Sequence, residues 1–440
     1  MVPRVLLFGA LGVLIPASLA AQSRPASLST LFEDVFGPNG LVVSSDEVQL
    51  DGTNHAAHFN SSFQSDFRLM NVALATQLTT VPVPSPASGF IYKFDSTTGT
   101  FVRATRSFGP ILADRAETIG RDRIAFSFNE QVFSFDRLDG VALSSIPAVF
   151  RHDAYQSTAG RSDVISTMNT VRASVTQFTG ALTYGVLERF DVSLAVPVVR
   201  TRLSLLSNAT VQRVGTGSNL QVHYFRDDAA PGGHGTARQF FADGSAAGIG
   251  DLLVRAKGTL MREGTRALAA GLDLRIPTGD EENLLGAGGP GVRPFVAFSG
   301  TFGRVAPHAN LAYQWNGSSR LGGDIRTGQT GDLPDQFIYA VGSDISVNPR
   351  LSLVLDLVGQ HVISAPRLST FAFAATGPSG TAALRDLRFQ NASYWGSSGA
   401  VGAKLNVAPR LLINFNLRFA LNDGGLTDRV SPLIGAEFAF

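Results

Sequence analysis

The last eleven residues alternate without a break. Val430, Pro432, Ile434, Ala436, Phe438 and Phe440 stand on one face, and Ser431, Leu433, Gly435, Glu437 and Ala439 on the other. The segment before it repeats the pattern, with Leu411, Ile413, Phe415, Leu417, Phe419 and Leu421 opposing Leu412, Asn414, Asn416, Arg418, Ala420 and Asn422. A two-residue period is strand geometry. The length matches the ~9–11 residues with which a tilted strand crosses a bilayer.

A half-buried sandwich strand alternates too, so the connections decide. Short links at Leu187–Arg189, Glu263–Thr265, Arg304–Pro307, Asn348–Pro349 and Val407–Pro409 alternate with long polar segments at 137–162, 207–248, 279–291, 317–336, 364–390 and 422–429. Tight turns at one end and long loops at the other are the arrangement of a transmembrane barrel. The expected fold is therefore all-β, a transmembrane antiparallel β-barrel with strands near 121–136, 163–186, 190–206, 249–262, 266–277, 292–303, 307–316, 337–347, 350–362, 391–406, 410–421 and 430–440. A further hairpin, Gly89–Phe94 and Thr100–Thr105 around Asp95–Gly99, brings the expected count to fourteen. The count is twelve if that hairpin folds inside the lumen.

The start of the chain has the form of a secretory signal over residues 1–21. Arg4 precedes an apolar run from Val5 to Ile15, and Ala17-Ser18-Leu19-Ala20-Ala21 offers small residues for cleavage. Its removal takes Arg4 away and leaves acidic and basic residues equal in number, so no charge excess draws the chain to nucleic acid. The absence of cysteine excludes thiolate chemistry and disulfides. The bacterial outer membrane is the expected location, with its lipid and, through the strand ending at Phe440, the barrel-assembly machinery as partners.

Residues 22–88 do not alternate. Leu28, Leu31, Phe32 and Val35 follow Ser27 at helical spacing and stop at Gly37-Pro38; Phe67, Met70, Leu74 and Leu78 follow Asp66 and stop at Pro82. Some 65 residues without a disulfide make a thin independent core, so a partly helical hatch packed in the lumen is expected, ahead of a barrel over 89–440.

Strand phase sorts the wall. Lipid-facing Arg or Lys costs about 2–4 kcal/mol at the midplane, so the apolar rows face out. Arg255, Lys257, Asp273, Arg275, Asp344, Asp356, Lys404, Asn406, Asn414, Asn416, Arg418 and Glu437 then face in. Both signs are interspersed, which suits bracing of the wall and of a plug better than ion selection. The aromatic inventory is 31 Phe against 7 Tyr and 2 Trp, although interfacial girdles favour Tyr and Trp. Phe32, Phe36, Phe67, Met70, Phe240, Phe241, Phe371 and Phe373 fall in the hatch or loops. They are either contacts for a hydrophobic ligand or side chains that the loops bury for themselves.

The stretch Phe108-Gly109-Pro110-Ile111-Leu112-Ala113-Asp114-Arg115-Ala116-Glu117-Thr118-Ile119-Gly120 follows Gly89-Phe90-Ile91-Tyr92 and precedes a Phe-rich strand ending Phe135-Asp136-Arg137-Leu138-Asp139-Gly140. Gly248-Ile249-Gly250-Asp251 and Ile276-Pro277-Thr278-Gly279-Asp280 come later. With these the chain resembles the outer-membrane proteins of the phenol meta-cleavage pathway, related to hydrophobic-compound transporters of the FadL and toluene type. The resemblance implies a fourteen-stranded barrel with an N-terminal hatch and passive uptake of hydrophobic compounds. It carries over no binding residue.

Other motifs carry less. Gly286–Gly291 lacks the following helix of a phosphate cradle, Asp280-Glu281-Glu282 reads as a solvated loop, and His55-x-x-His58 lacks a zinc-site context. His152, His223 and His234 lie in loops and His361 near a strand end. The expected function is a channel for passive uptake of small hydrophobic compounds, aromatic or fatty-acid-like, with no cofactor, no metal and no catalysis. The alternatives are a structural or surface-binding barrel and a hydrolase at the rim.

Overall fold

A computed structural model describes residues 27–37, 39–47, 58–61, 63, 68–80, 92–95, 100–103, 107–153, 155–156, 159–408 and 410–440. The signal segment, Phe67, His55 and the boundary at residue 88 lie outside them.

Twelve antiparallel strands close on themselves. In chain order they are β1 Ile124–Phe135, β2 Val164–Leu187, β3 Phe190–Gln212, β4 Leu252–Glu263, β5 Arg266–Ile276, β6 Gly291–Gly300, β7 Val305–Asn316, β8 Gln336–Asn348, β9 Leu351–Gly377, β10 Gly380–Ala408, β11 Leu411–Ala420 and β12 Val430–Ala439. Each pairs with the next, and β12 meets β1 from Leu433↔Gln131 to Ala439↔Ala125. Of the two expected counts, fourteen and twelve, the wall has twelve. The additional hairpin, Tyr92–Asp95 and Thr100–Arg103, pairs only with itself; its strands of four residues fall well short of the ~9–11 a crossing needs.

The alternation sets the two faces as expected. In β12 the even row, Val430, Pro432, Ile434 and their successors to Phe440, is exposed or half-buried, while Ser431, Leu433, Gly435, Glu437 and Ala439 are buried. The outward faces of the other strands carry the same apolar band, with Phe128, Phe178, Val198, Leu274, Leu311, Val341 and Leu355 exposed. Both tryptophans, Trp315 and Trp395, are exposed on this face toward the loop end. Tyr313 lies 4.8 Å from Trp315, and His361 4.5 Å from Trp395. These are the amphipathic rings that a membrane–water boundary favours.

Several segments expected as loops are strand. The stretch 364–390 is the outer half of the β9–β10 hairpin, paired from Ala365↔Ala392 to Gly377↔Gly380. Ile146–His152 runs beside the start of β2, and Ala237–Ile249 beside the outer part of β3. Their polar composition reads as loop, but above the apolar band a strand has no lipid to face and both its faces can be polar.

The ladder from Ala237–Ile249 into β4 breaks at Gly250-Asp251, opposite Pro197. Proline offers no amide hydrogen to a ladder, and Gly250 N donates to the Pro197 carbonyl at 2.8 Å. A Cβ on Gly250 would lie 2.9 Å from Val199 Cγ2. The break turns the Asp251 carboxylate onto Gly279 N and Ala287 N, at 3.0 and 2.8 Å. That folds the 279–289 connection inward, burying Leu284, Leu285 and Ala287. Glu281 and Glu282 both bind Arg320, so this connection is tied down and not the solvated loop expected.

Candidate functional site

Two bodies occupy the lumen. At the turn end, residues 107–120 cross the barrel as an irregular strip whose backbone is satisfied by wall side chains. Phe108 N donates to Ser352 of β9, Gly109 N to Asp344 of β8, and Asp114 N to Asn310 of β7. Ala116 N donates to Ser299 of β6 at 2.8 Å and Ile119 N to Asp191 of β3 at 3.0 Å. From β4, Lys257 Nζ donates to the carbonyls of Arg115 and Glu117, both at 3.0 Å, and Thr259 to that of Ala116 at 2.7 Å. Buried backbone groups without such partners cost free energy. The polar inward row is therefore what lets a strip without regular structure sit inside.

Arg255 is the centre of this lock. Its guanidinium holds both Asp114 oxygens, at 2.7 and 2.8 Å, and pairs bidentately with Asp273 on β5, at 2.7 and 2.8 Å. Arg293 on β6 joins Asp273 at 2.6 Å. Next to it, His308 lies between Asp356, at 2.6 Å, and Asp344, at 3.5 Å, and Asp344 also faces Arg115. Bidentate Arg–carboxylate pairs fix geometry as well as charge.

Toward the loop end lies the N-terminal segment. The short helix α1, Leu31–Asp34, and the longer α2, Leu69–Thr80, form at the expected spacings. Phe32 and Met70 are fully buried. Phe36 packs edge-on against Phe150 and Phe240, each 5.1 Å away. Helix α2 is enclosed on every side, with Asn71, Thr76, Gln77 and Thr79 buried beside its apolar residues. Gln336 of β8 donates to Thr79 Oγ1 at 2.9 Å.

Between strip and helix a chamber of about 1090 Å³ remains, with Gln77 on one side and Leu112 and Asp114 on the other. Phe295, Ala312, Ile338 and Val358 give it apolar wall; Arg255, Asp273, Arg293, Arg418 and Asp428 give it charge. The Arg418 guanidinium lies 5.3 Å over the Phe133 ring and forms no salt bridge among the described residues. A second space of about 580 Å³ adjoins it, sharing Asp273 and Arg293 and reaching Leu285 and Asp251.

The structure sorts the expected residues into separate roles. Arg255, Asp273 and Arg418 line the chamber. Lys257, Asp344 and Asp356 brace the strip or its His308 neighbour. Arg275 bonds Asn316 at 2.9 Å, and Lys404 is sealed against Glu437 at 2.7 Å. Of the aromatic candidates, Phe32, Phe36, Met70 and Phe240 belong to the hydrophobic cluster around the N-terminal segment. Phe241 has the opposite phase to Phe240. Phe371 lies under Arg388 and Phe373 under Arg151. None of these lines the chamber. In the sequence, Asp114 and the strip stood out only through the family resemblance and Arg293 not at all; the signal present was an excess of inward cations on β4 awaiting acids from elsewhere.

At the rim, His223 Nδ1 lies 2.8 Å from Asp163. Both side chains have 0% exposure, so this pair is closed to any substrate and holds a loop instead. Burial alone would raise the Asp163 carboxyl. The His223 contact and donations from Thr216 and from the amides of Gly215 and Thr216 outweigh it and hold the group below its usual 3.8. A depressed folded value stabilises above the unfolded pKa and is lost as pH falls through the folded one. Amide exchange in 213–223 should therefore stay slow down to about pH 4 and accelerate below it. Asp163→Asn should remove that acid dependence.

The sequence profile of a family described as putative MetA-pathway of phenol degradation matches residues 151–372. No curated protein matches the sequence. Among solved structures, the COG4313 outer membrane channel from Pseudomonas putida F1 is 14% identical, with a TM-score of 0.43 over 74% of this chain and 100% of that one. A Pseudomonas aeruginosa FadL homologue is 11% identical, with a TM-score of 0.32 over 82% of this chain and 97% of that one.

Proposed function

The chain belongs to the family described as putative MetA-pathway of phenol degradation, and from that premise we propose that it is an outer-membrane channel for passive uptake of small hydrophobic compounds. The observation that carries this reading is the chamber, with apolar wall from Phe295, Ala312, Ile338 and Val358 and with the Arg418 guanidinium, near Asp428, free of salt bridges among the described residues. Such lining suits a compound with an apolar body and one hydroxyl or carboxylate. The body leaves water at a gain of ~25 cal/mol per Å², and its oxygen accepts from Arg418. An apolar solute is thereby held loosely enough to leave again, down its concentration gradient.

On this reading the N-terminal segment is a hatch on the outer side and the 107–120 strip a gate on the periplasmic side. The apolar band faces lipid, and the strand ending at Phe440 is the part offered to the barrel-assembly machinery. The chain does no chemistry on its cargo.

Initial uptake of a labelled alkylphenol should be several-fold faster in cells producing the protein than in cells lacking it. The Arg418→Ala variant should favour plain hydrocarbons over the phenol. Equal rates with and without the protein would sink the channel reading.

A further inference from the structure

Outward from the apolar band, β3 changes character abruptly. Phe190, Val192, Leu194, Val196 and Val198 occupy successive outward positions; the next two are Arg200 and Arg202. On β2 the corresponding row runs from Phe178 through Thr176 and Ser174 to Arg172. The register places Arg200 opposite Thr176, Arg202 opposite Ser174 and Ser204 opposite Arg172. Arg172 and Arg202 are thus diagonal neighbours, about 7–8 Å apart at the backbone, and Arg200 is next along its own strand. All three are exposed, and none forms a salt bridge or hydrogen bond among the described residues.

The surface here is concave. The chain leaves the wall after Phe135 and returns at Leu143, where Leu143 N donates to Asp136 O and Val171 N to Leu143 O. That detour leaves an open groove of about 2040 Å³, lined by Arg172 and Arg202 and by hydroxyls from Ser134, Thr170, Ser174 and Ser245. Two acids reach it. Asp136 is neutralised by Arg429 at 2.7 Å, and Asp243 lies on the neighbouring strand without closing onto the arginines. Guanidiniums without partners among the described residues, level with a bank of hydroxyls and just beyond an apolar band, match a ligand whose phosphate and sugar lie side by side above its acyl chains.

We propose that this groove binds the phosphorylated headgroup of a membrane glycolipid. A phosphate sits on Arg172, Arg200 and Arg202, the sugar lies along the hydroxyl bank, and the acyl chains run down over Val198 and Phe178. Arginine suits the task because its planar fork donates to two phosphate oxygens at once. The site rests on the membrane reading of the barrel but not on any cargo.

The test uses the purified full chain in detergent, followed by native mass spectrometry. The probes are bisphosphorylated lipid A, the same glycolipid stripped of phosphate, phosphatidylglycerol and inorganic phosphate. Bisphosphorylated lipid A should give a one-to-one adduct, roughly tenfold weaker when all three arginines are replaced by serine and largely retained when they are replaced by lysine. An adduct unchanged in the serine variant, or equal for the stripped glycolipid, would overturn the proposal. Equal binding of phosphatidylglycerol would reduce the groove to a general anionic-lipid surface. Displacement by inorganic phosphate at matching concentration would make it a free-anion site. Either of these also overturns it. Each variant is checked for the gel shift of a folded barrel on heating in SDS. A wild-type chain soluble without detergent would sink the membrane reading itself, whereas a detergent-dependent barrel blind to lipid A sinks only the groove.

Discussion

Arg255→Ala should turn a closed channel into a conducting one, raising single-channel conductance in a planar bilayer several-fold while the barrel itself stays folded. Among the described residues, Arg255 is the only side chain that holds the Asp114 carboxylate, and it also binds Asp273. Its loss leaves two acids facing each other in a buried site, with Arg293 remaining for Asp273 alone. Breaking a buried pair on one side costs about 3–5 kcal/mol. The wall strands are held by continuous ladders, so the strip is the part that yields. Replacing both sides with neutral groups, Arg255→Met with Asp114→Asn, should restore closure, since a buried ion pair exchanged for uncharged neighbours is often neutral. Conductance traces identical to wild type in the single variant would show that the strip is not held by this lock.

The second large effect is expected from filling the chamber. Ala312 faces it from β7 between Asn310 and Gln314, whereas Ala309 on the same strand faces outward. Ala312→Trp should lower alkylphenol uptake at least tenfold, about 1.4 kcal/mol at the limiting step. Ala309→Trp, set against lipid, should leave uptake unchanged. Both proteins should show the same heat-induced gel shift. Uptake reduced equally by both would assign the loss to folding. Uptake unchanged by the first would place the route elsewhere in the wall.

Much of this architecture was legible because a strand writes its two faces into alternate residues. Leu411 to Leu421 and Val430 to Phe440 announce the lipid side, and Arg255, Asp273 and Lys404 the interior. Strand count was less legible. The hairpin at Tyr92–Arg103 alternates well enough, and its exclusion from the wall follows from length, not composition. The strip was not legible. Phe108 to Gly120 has no period, and its partners lie far along the chain, at Asn310, Ser299 and Asp191. Its residues were noticed as a family resemblance and their place in the lumen was not. The loop phenylalanines left two readings open for a related reason. Phe240 and Phe373 look available in a polar sequence, yet each meets an apolar or cationic partner that only the folded outer strands bring near.

The strip ends at Gly120, next to Gly185 of β2, and β1 begins at Ile124. The four steps from Gly120 to Ile124 reach at most about 14 Å when fully extended. The strip is therefore held on a very short leash at that end and cannot leave the barrel by it. It can only swing or slacken about the start of the first strand. Any opening there is limited by how far this short connection lets the strip move.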